Sequence, residues 1–305
     1  MVQVEVDHWF GGMPMNHWQV GNVRVARVVE FEMPLISPHL IFPASTPEAI
    51  ERNRHWLEPK LLDPASGLLV LGMHAFLIRS RHHTILVDSC SGNDRQRPGK
   101  PRYHMRNWPF LENMAKTGVA PEDVDYVLCT HLHVDHVGWN TRLVDGRWVP
   151  TFPNARYLFA RAEWEYWREH YKTEAFRDDP YYTDSILPVI EAGQMTLVDG
   201  DYAFDDEVWL DPTPGHTPGH VCVHVRSGGQ ECVMSGDLMH HALQCAEPDW
   251  SSCFCVDPAH SARTRRSFLA RYEGSPVRIM PAHFPTPTAG TIVRAGDAWR
   301  FKFEA

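Results

Sequence analysis

The chain has 305 residues, 43% hydrophobic and 22% charged, with 20 Gly and 24 Pro, a composition that excludes collagen-like, low-complexity and largely disordered proteins. Its 29 Lys and Arg against 38 Asp and Glu give a net charge of −9, which repels a phosphate backbone and argues against nucleic acid as a partner. No apolar run reaches the roughly eighteen residues of a membrane span, the N-terminal stretch with Asp7 and His8 lacks the apolar core of a secretion signal, and seven scattered Cys fit free thiols in the cytoplasm.

Taken in chain order, residues 1–66 read as an irregular N-terminal extension. It is broken by proline in SPHLIFPASTP and holds one short helix, PEAIERNRHWLEP. From Gly67 the pattern changes to strand-length apolar runs punctuated by turns. GLLVLGMHAFLIRS, HTILVDS, DYVLCTH, ARYLFAR and MTLVDG come first, followed by EVWLDPT, HVCVHVRS, QECVMSGD and VRIMPAH. Helical stretches lie among them: RNWPFLENMAKTG, RAEWEYWREHY and PAHSARTRRSFLARYEG. Many strands with intercalated helices predict an α/β protein with sheets packed between helices. The whole chain, 1–305, is read as one domain.

One segment concentrates the chemistry. The strand YVLCT runs directly into His131-Leu132-His133-Val134-Asp135-His136-Val137-Gly138. Three imidazoles and a carboxylate within six residues are too much polar demand for a core site without a cation, and these donors suit zinc, with iron, manganese, cobalt or nickel as alternatives. Three later stretches repeat the design of an apolar strand with a ligand-type residue at its end: His216 in DPTPGHTPGH, Asp237 in CVMSGD and His283 in RIMPAH. Seven such groups exceed the four of a tetrahedral site and suit two metals sharing one carboxylate.

HLHVDH, followed in order by GHTPGH, SGD and PAH, resembles the metallo-β-lactamase superfamily of metal-dependent hydrolases from about Gly67 to the C-terminus. The resemblance implies a four-layer αββα sandwich with two divalent metal ions at the edge of its two sheets. It assigns His131, His133 and His216 to the first metal, Asp135, His136 and His283 to the second, and Asp237 to the bridge. His220 becomes a supporting group, as does Asp88 in ILVDS. Asp237 and His133 separate the chain from true β-lactamases and from oxygen-reducing diiron relatives. What remains is similar to lactonases that open acyl-homoserine lactones and to arylester and phosphotriester hydrolases. Such lactonases often carry Tyr three residues after the bridging Asp, where this chain has His240.

The expected mechanism is attack by a hydroxide shared between the two metals, with Asp135 shuttling the proton to the leaving group and His240 contacting substrate. Phosphotriester or thioester hydrolysis, hydrolytic dehalogenation and a metal-binding scaffold without turnover are the alternatives. The substrate is expected to be a small apolar or aromatic molecule. Trp139, next to the ligand turn, is expected to line its pocket, with Trp9, Phe10, Met13, Met15, Trp18, Phe42 and Trp56 of the extension, and Trp250 and Phe254 after Asp237, as further aromatic and apolar candidates. The extension is expected to pack at the active-site mouth or at the interface of a homodimer.

Overall fold

The computed structural model describes residues 17–173 and 180–304. Trp9, Phe10, Met13 and Met15 lie outside them. The first sheet is built from β1 (His17–Val20), β2 (Val23–Ile36), β3 (Leu69–Arg79), β4 (Thr84–Val87), β5 (Tyr126–Cys129), β8 (Arg156–Ala160) and β9 (Met195–Val198), in that spatial order. The second is built from β10 (Val208–Pro212), β11 (Val221–Ser227), β12 (Gln230–Met234), β13 (Arg278–Met280), β14 (Gly290–Ala295) and β15 (Ala298–Phe303). A separate hairpin joins β6 (Thr141–Val144) to β7 (Arg147–Pro150). The helices are α1 (Pro38–Ile41), α2 (Pro47–Leu57), α3 (Phe110–Ala115), α4 (Arg161–His170), α5 (Leu187–Glu191), α6 (Leu243–Ala246) and α7 (Pro258–Tyr272).

Three buried clusters define the layers. Val25, Ile78, Val87 and Leu128 of the first sheet meet Leu210, Val223 and Met234 of the second. Phe110 and Met114 of α3 and Trp167 of α4 cover the other face of the first sheet. Phe268, Leu269 and Tyr272 of α7 cover Val233 and Ile279 on the outside of the second. Each sheet is thus apolar on both faces, and the helices close the outer ones. This is the αββα arrangement, and among the described residues no helix is long and apolar enough to cross a membrane.

Residues 17–36 depart from the irregular reading. They form β1 and the fourteen-residue β2, which pairs antiparallel with β3 along almost its whole length. The strand was hidden by Arg27, Glu30 and Glu32, which interrupt its apolar pattern. All three are used inside the fold: Arg27 donates to Glu32 at 2.8 Å and to Thr286 at 2.8 Å, while Glu30 anchors a loop at the site. Trp18 and Phe42 are core residues, and Trp56 packs under the Arg300 guanidinium at 3.7 Å.

Candidate metal centre

Strands β4, β5, β8 and β9 run parallel, as do β12 and β13. Their carboxyl ends therefore open on one edge, the usual place for a site in an α/β sheet. Asp88 follows β4, His131–His136 follow β5, Asp237 follows β12 and His283 follows β13. His216 joins them from the turn between β10 and β11. Just before Asp237, Gly236 has φ +48, and a Cβ there would stand 2.6 Å from His220 Nε2. Only glycine fits that close approach at positive φ.

His131 Nε2, His133 Nδ1 and His216 Nε2 form a triangle with sides of 3.0, 2.9 and 3.2 Å. Hydrogen bonds cannot satisfy all three sides, because neutral imidazole carries a single N–H. Donor atoms on a tetrahedral zinc at about 2.0–2.1 Å would stand about 3.3 Å apart, so the triangle has nearly the size of one tetrahedral face. Asp237 Oδ2 lies 3.3 Å from His216 Nε2 and 3.6 Å from His131 Nε2. Its other oxygen, Oδ1, lies 3.0 Å from His283 Nε2 and 3.3 Å from His136 Nε2. Asp135 Oδ2 stands 4.0 Å from His283 Nε2. The donors fall into two groups, each able to hold a cation: His131, His133, His216 and Asp237, and Asp135, His136 and His283. Asp237 Oδ1 and both His136 ring nitrogens are buried without a hydrogen bond. Such atoms are costly to bury unless something else meets them.

The electrostatics separate the groups. Burial drives His131 and His216 well below the ordinary histidine range and His133 down to about 4, leaving their nitrogens as lone-pair donors. Burial acts the same way on His136 and His283, but Asp237 outweighs it at both, helped by Asp88 at His136 and Asp135 at His283, and both are raised. Asp237 is held well below the carboxylate range, because His283 and His136 overcome the upward push of burial.

Asp88 accepts from Thr130 N–H at 2.8 Å and sits 2.9 Å from His136 Nδ1. His220 Nε2 accepts the Asp237 backbone N–H at 3.0 Å, while its Nδ1 contacts Thr213 Oγ1 at 2.8 Å. His240 contacts Asp237 Oδ2 at 3.3 Å and Ser252 Oγ at 3.2 Å. A cavity of about 470 Å³ opens on this edge, lined by His133, Asp135, Asp237, His240 and His283.

Trp139 corrects an expectation, because it does not line that cavity. Its ring stacks on Phe110 at 5.3 Å and its Nε1–H donates to Glu30 at 2.7 Å, so it is a core residue. Proximity along the chain to the ligand turn says nothing about which way a side chain points. Phe254, one of the candidates after Asp237, does line it, together with Trp167, Tyr103 and Tyr181, whereas Trp250 is a core residue. Glu163 was also not foreseen. From the first turn of α4 it accepts from Leu132 N–H at 2.9 Å, Gly219 N–H at 2.9 Å and Trp167 Nε1–H at 2.6 Å. One carboxylate thereby ties the His131–His133 segment to the His216 turn. A Cβ on Gly219 would stand 2.1 Å from Glu163 N, so the turn packs directly on the helix start. In the sequence Glu163 looks like any exposed helical acid, and no signal marked it.

A family model described as Metallo-beta-lactamase superfamily matches residues 70–296. An N-acyl homoserine lactonase from Bacillus sp is 34% identical over 107 residues, which are 35% of this chain and 35% of that protein. The matched stretch thus spans about a third of that relative's length. N-acyl homoserine lactonase AttM from Rhizobium radiobacter is 26% identical over 223 residues, 67% of this chain and 78% of AttM. Among solved structures, hydrolase AbOPH in the beta lactamase superfamily superposes with a TM-score of 0.77 at 24% identity, covering 95% of this chain and 98% of that one. AidC, a dizinc quorum-quenching lactonase in complex with a product, gives 0.76 at 18% identity, covering 95% and 97%. Both structural likenesses speak for the fold.

Proposed function

Since the chain belongs to the metallo-β-lactamase superfamily, we propose that it is a dinuclear metal-dependent hydrolase acting on a small lactone or ester. The observation that carries this reading is the division of Asp237, one oxygen toward His131 and His216 and the other toward His136 and His283, at the floor of an open cavity. In this reading His131, His133 and His216 would hold one zinc ion, Asp135, His136 and His283 would hold a second, and Asp237 would serve both. Two such ions would bring the pKa of a bound water toward neutrality and polarise the oxygen of an ester or lactone.

The chain's own residues do the rest. Asp135, facing the cavity, takes the proton released by the attacking water and passes it to the leaving oxygen as the carbon–oxygen bond breaks. His240, on the cavity wall, donates a hydrogen bond to the substrate. Asp88 beside His136 and His220 behind Asp237 hold the donors in register, the part that outer partners play in metal sites generally. Relatives named as N-acyl homoserine lactonases support a lactone or acyl ester as substrate.

The test is turnover of the zinc-loaded protein on acyl-homoserine lactones, aryl esters and phosphotriesters. Hydrolysis of a lactone or ester, abolished by a chelator and restored by zinc, is expected. Full metal occupancy without turnover on any class would overturn the reading and leave a metal-binding scaffold.

A further inference from the structure

The cavity lining has two unlike parts. Leu35, Ile36, Ile41, Leu71 and Met73 make one of them apolar. The other is the turn from Gly99 to Tyr103, which carries Lys100 and Arg102. That turn is held from several directions. Lys100 N–H donates to Arg97 O and Tyr103 N–H to Lys100 O, each at 2.9 Å. The Arg106 guanidinium donates to Arg102 O at 3.1 Å and to Pro101 O at 2.9 Å. At its root Arg97 grips Asp184 through two nitrogens at 2.6 and 2.8 Å. Its inner end is pinned to the donor groups, because Tyr103 O–H donates to Asp135 Oδ2 at 3.1 Å. The rim is therefore preorganised rather than a loose flap.

Arg102 is the residue that this construction leaves unexplained. It is half-buried and lines the cavity, yet no ion pair to its side chain is found among the described residues. The chain has 38 acids for 29 bases, so the lack of a partner is not for want of carboxylates. Burial pushes the Tyr103 phenol and the Cys253 thiol up, and the Arg102 charge counters it at both. A cation partly withdrawn from water beside apolar surface is costly until an anion meets it, and a guanidinium fork fits a carboxylate.

We propose that Arg102 forms an anion subsite at the outer end of the cavity, and that the substrate is an ester or lactone whose non-reacting chain lies on the Leu35–Met73 wall and ends in a carboxylate. This rests on the hydrolase reading above.

The test compares two aryl esters of matched length, 4-nitrophenyl pentanoate and mono-4-nitrophenyl glutarate, on the zinc-loaded protein. The charged ester is expected to have the higher kcat/KM by about tenfold, carried by KM. Arg102→Met is expected to bring the charged-to-neutral ratio near unity, and Arg102→Lys to restore part of it. Tryptophan fluorescence titrations with glutaranilic acid and valeranilide, amides of the same two acids, read binding without turnover. They are expected to show the same preference and the same loss. Equal or better use of the neutral ester overturns the proposal, as does an anion preference that survives Arg102→Met, which would place the anion on the metal donors. If neither ester is hydrolysed while glutaranilic acid still binds in an Arg102-dependent way, the subsite stands, and the hydrolase reading fails only if lactones and phosphotriesters are not turned over either.

Discussion

Two kinds of buried carboxylate occur in the fold, and they differ in what meets their oxygens. Glu163 and Glu30 are each 1% exposed, and each is surrounded by N–H and O–H donors. Glu163 takes Leu132, Gly219 and Trp167, while Glu30 takes the Ser91 and Gly92 N–H groups, the Ser91 hydroxyl and the Trp139 indole. Asp237, a few residues away in space, is 3% exposed and faces imidazoles, with Oδ1 lacking any hydrogen bond. Burial dominates at the two glutamates and pushes both up despite their donors. At Asp237 the neighbouring histidines win and the carboxylate is held down. A buried acid ringed by N–H and O–H donors is scaffold, whereas a buried acid ringed by imidazoles suits a cation.

The contrast breaks first at a donor. His133→Ala is expected to remove metal and to lower turnover by at least about a thousandfold, with metal content read by elemental analysis. The melting temperature of the metal-free variant is expected to stay level or rise, because one set of facing lone pairs is gone. A metal-free variant that melted far lower would make this cluster scaffold too.

Glu163→Gln tests the other side. The amide keeps the shape but turns an N–H toward an N–H, at a cost of about 1–3 kcal/mol. The variant is expected to fold and to bind zinc about 10–100-fold more weakly, measured by chelator competition. Unchanged zinc affinity would show that the tie between the two ligand segments is not needed for binding.

The smallest effect is the acid side of the stability curve. Burial lowers His241 from 6.5 to about 4, with its Nε2 at 3.0 Å from Leu61 O. The unfolded chain therefore binds a proton between those values that the folded chain refuses. This contribution is intact above about 6.5 and is lost as the pH falls toward 4, at about 1.4 kcal/mol per pH unit. His241→Gln is expected to flatten that limb by one proton in denaturant titrations across the range. An unchanged slope would mean that the imidazole is protonated in the fold.

The donor residues were legible because each follows an apolar run, so that local pattern and chemistry coincide at the same few positions: His131–His136 after YVLCT, Asp237 after CVM, His283 after RIM. The strands behind them were legible for the same reason. Strand β2 was not, since Arg27, Glu30 and Glu32 look like solvent-facing charges until partners more than fifty residues away satisfy all three. Strands β14 and β15, GTIVRA and AWRFKF, were missed as well, because their apolar positions alternate with charges.

The sequence by itself determined the layered α/β fold and the set of donors, for both are written in short-range periodicity and in residue types too polar to bury unaided. Only the tertiary structure decided that Trp139 turns into the core, that Glu163 ties the His131–His133 segment to the His216 turn, and that Leu35 and Arg102 line one cavity. Those outcomes depend on side-chain direction and on contacts between distant segments, which close only when the two sheets pack and which no local pattern encodes.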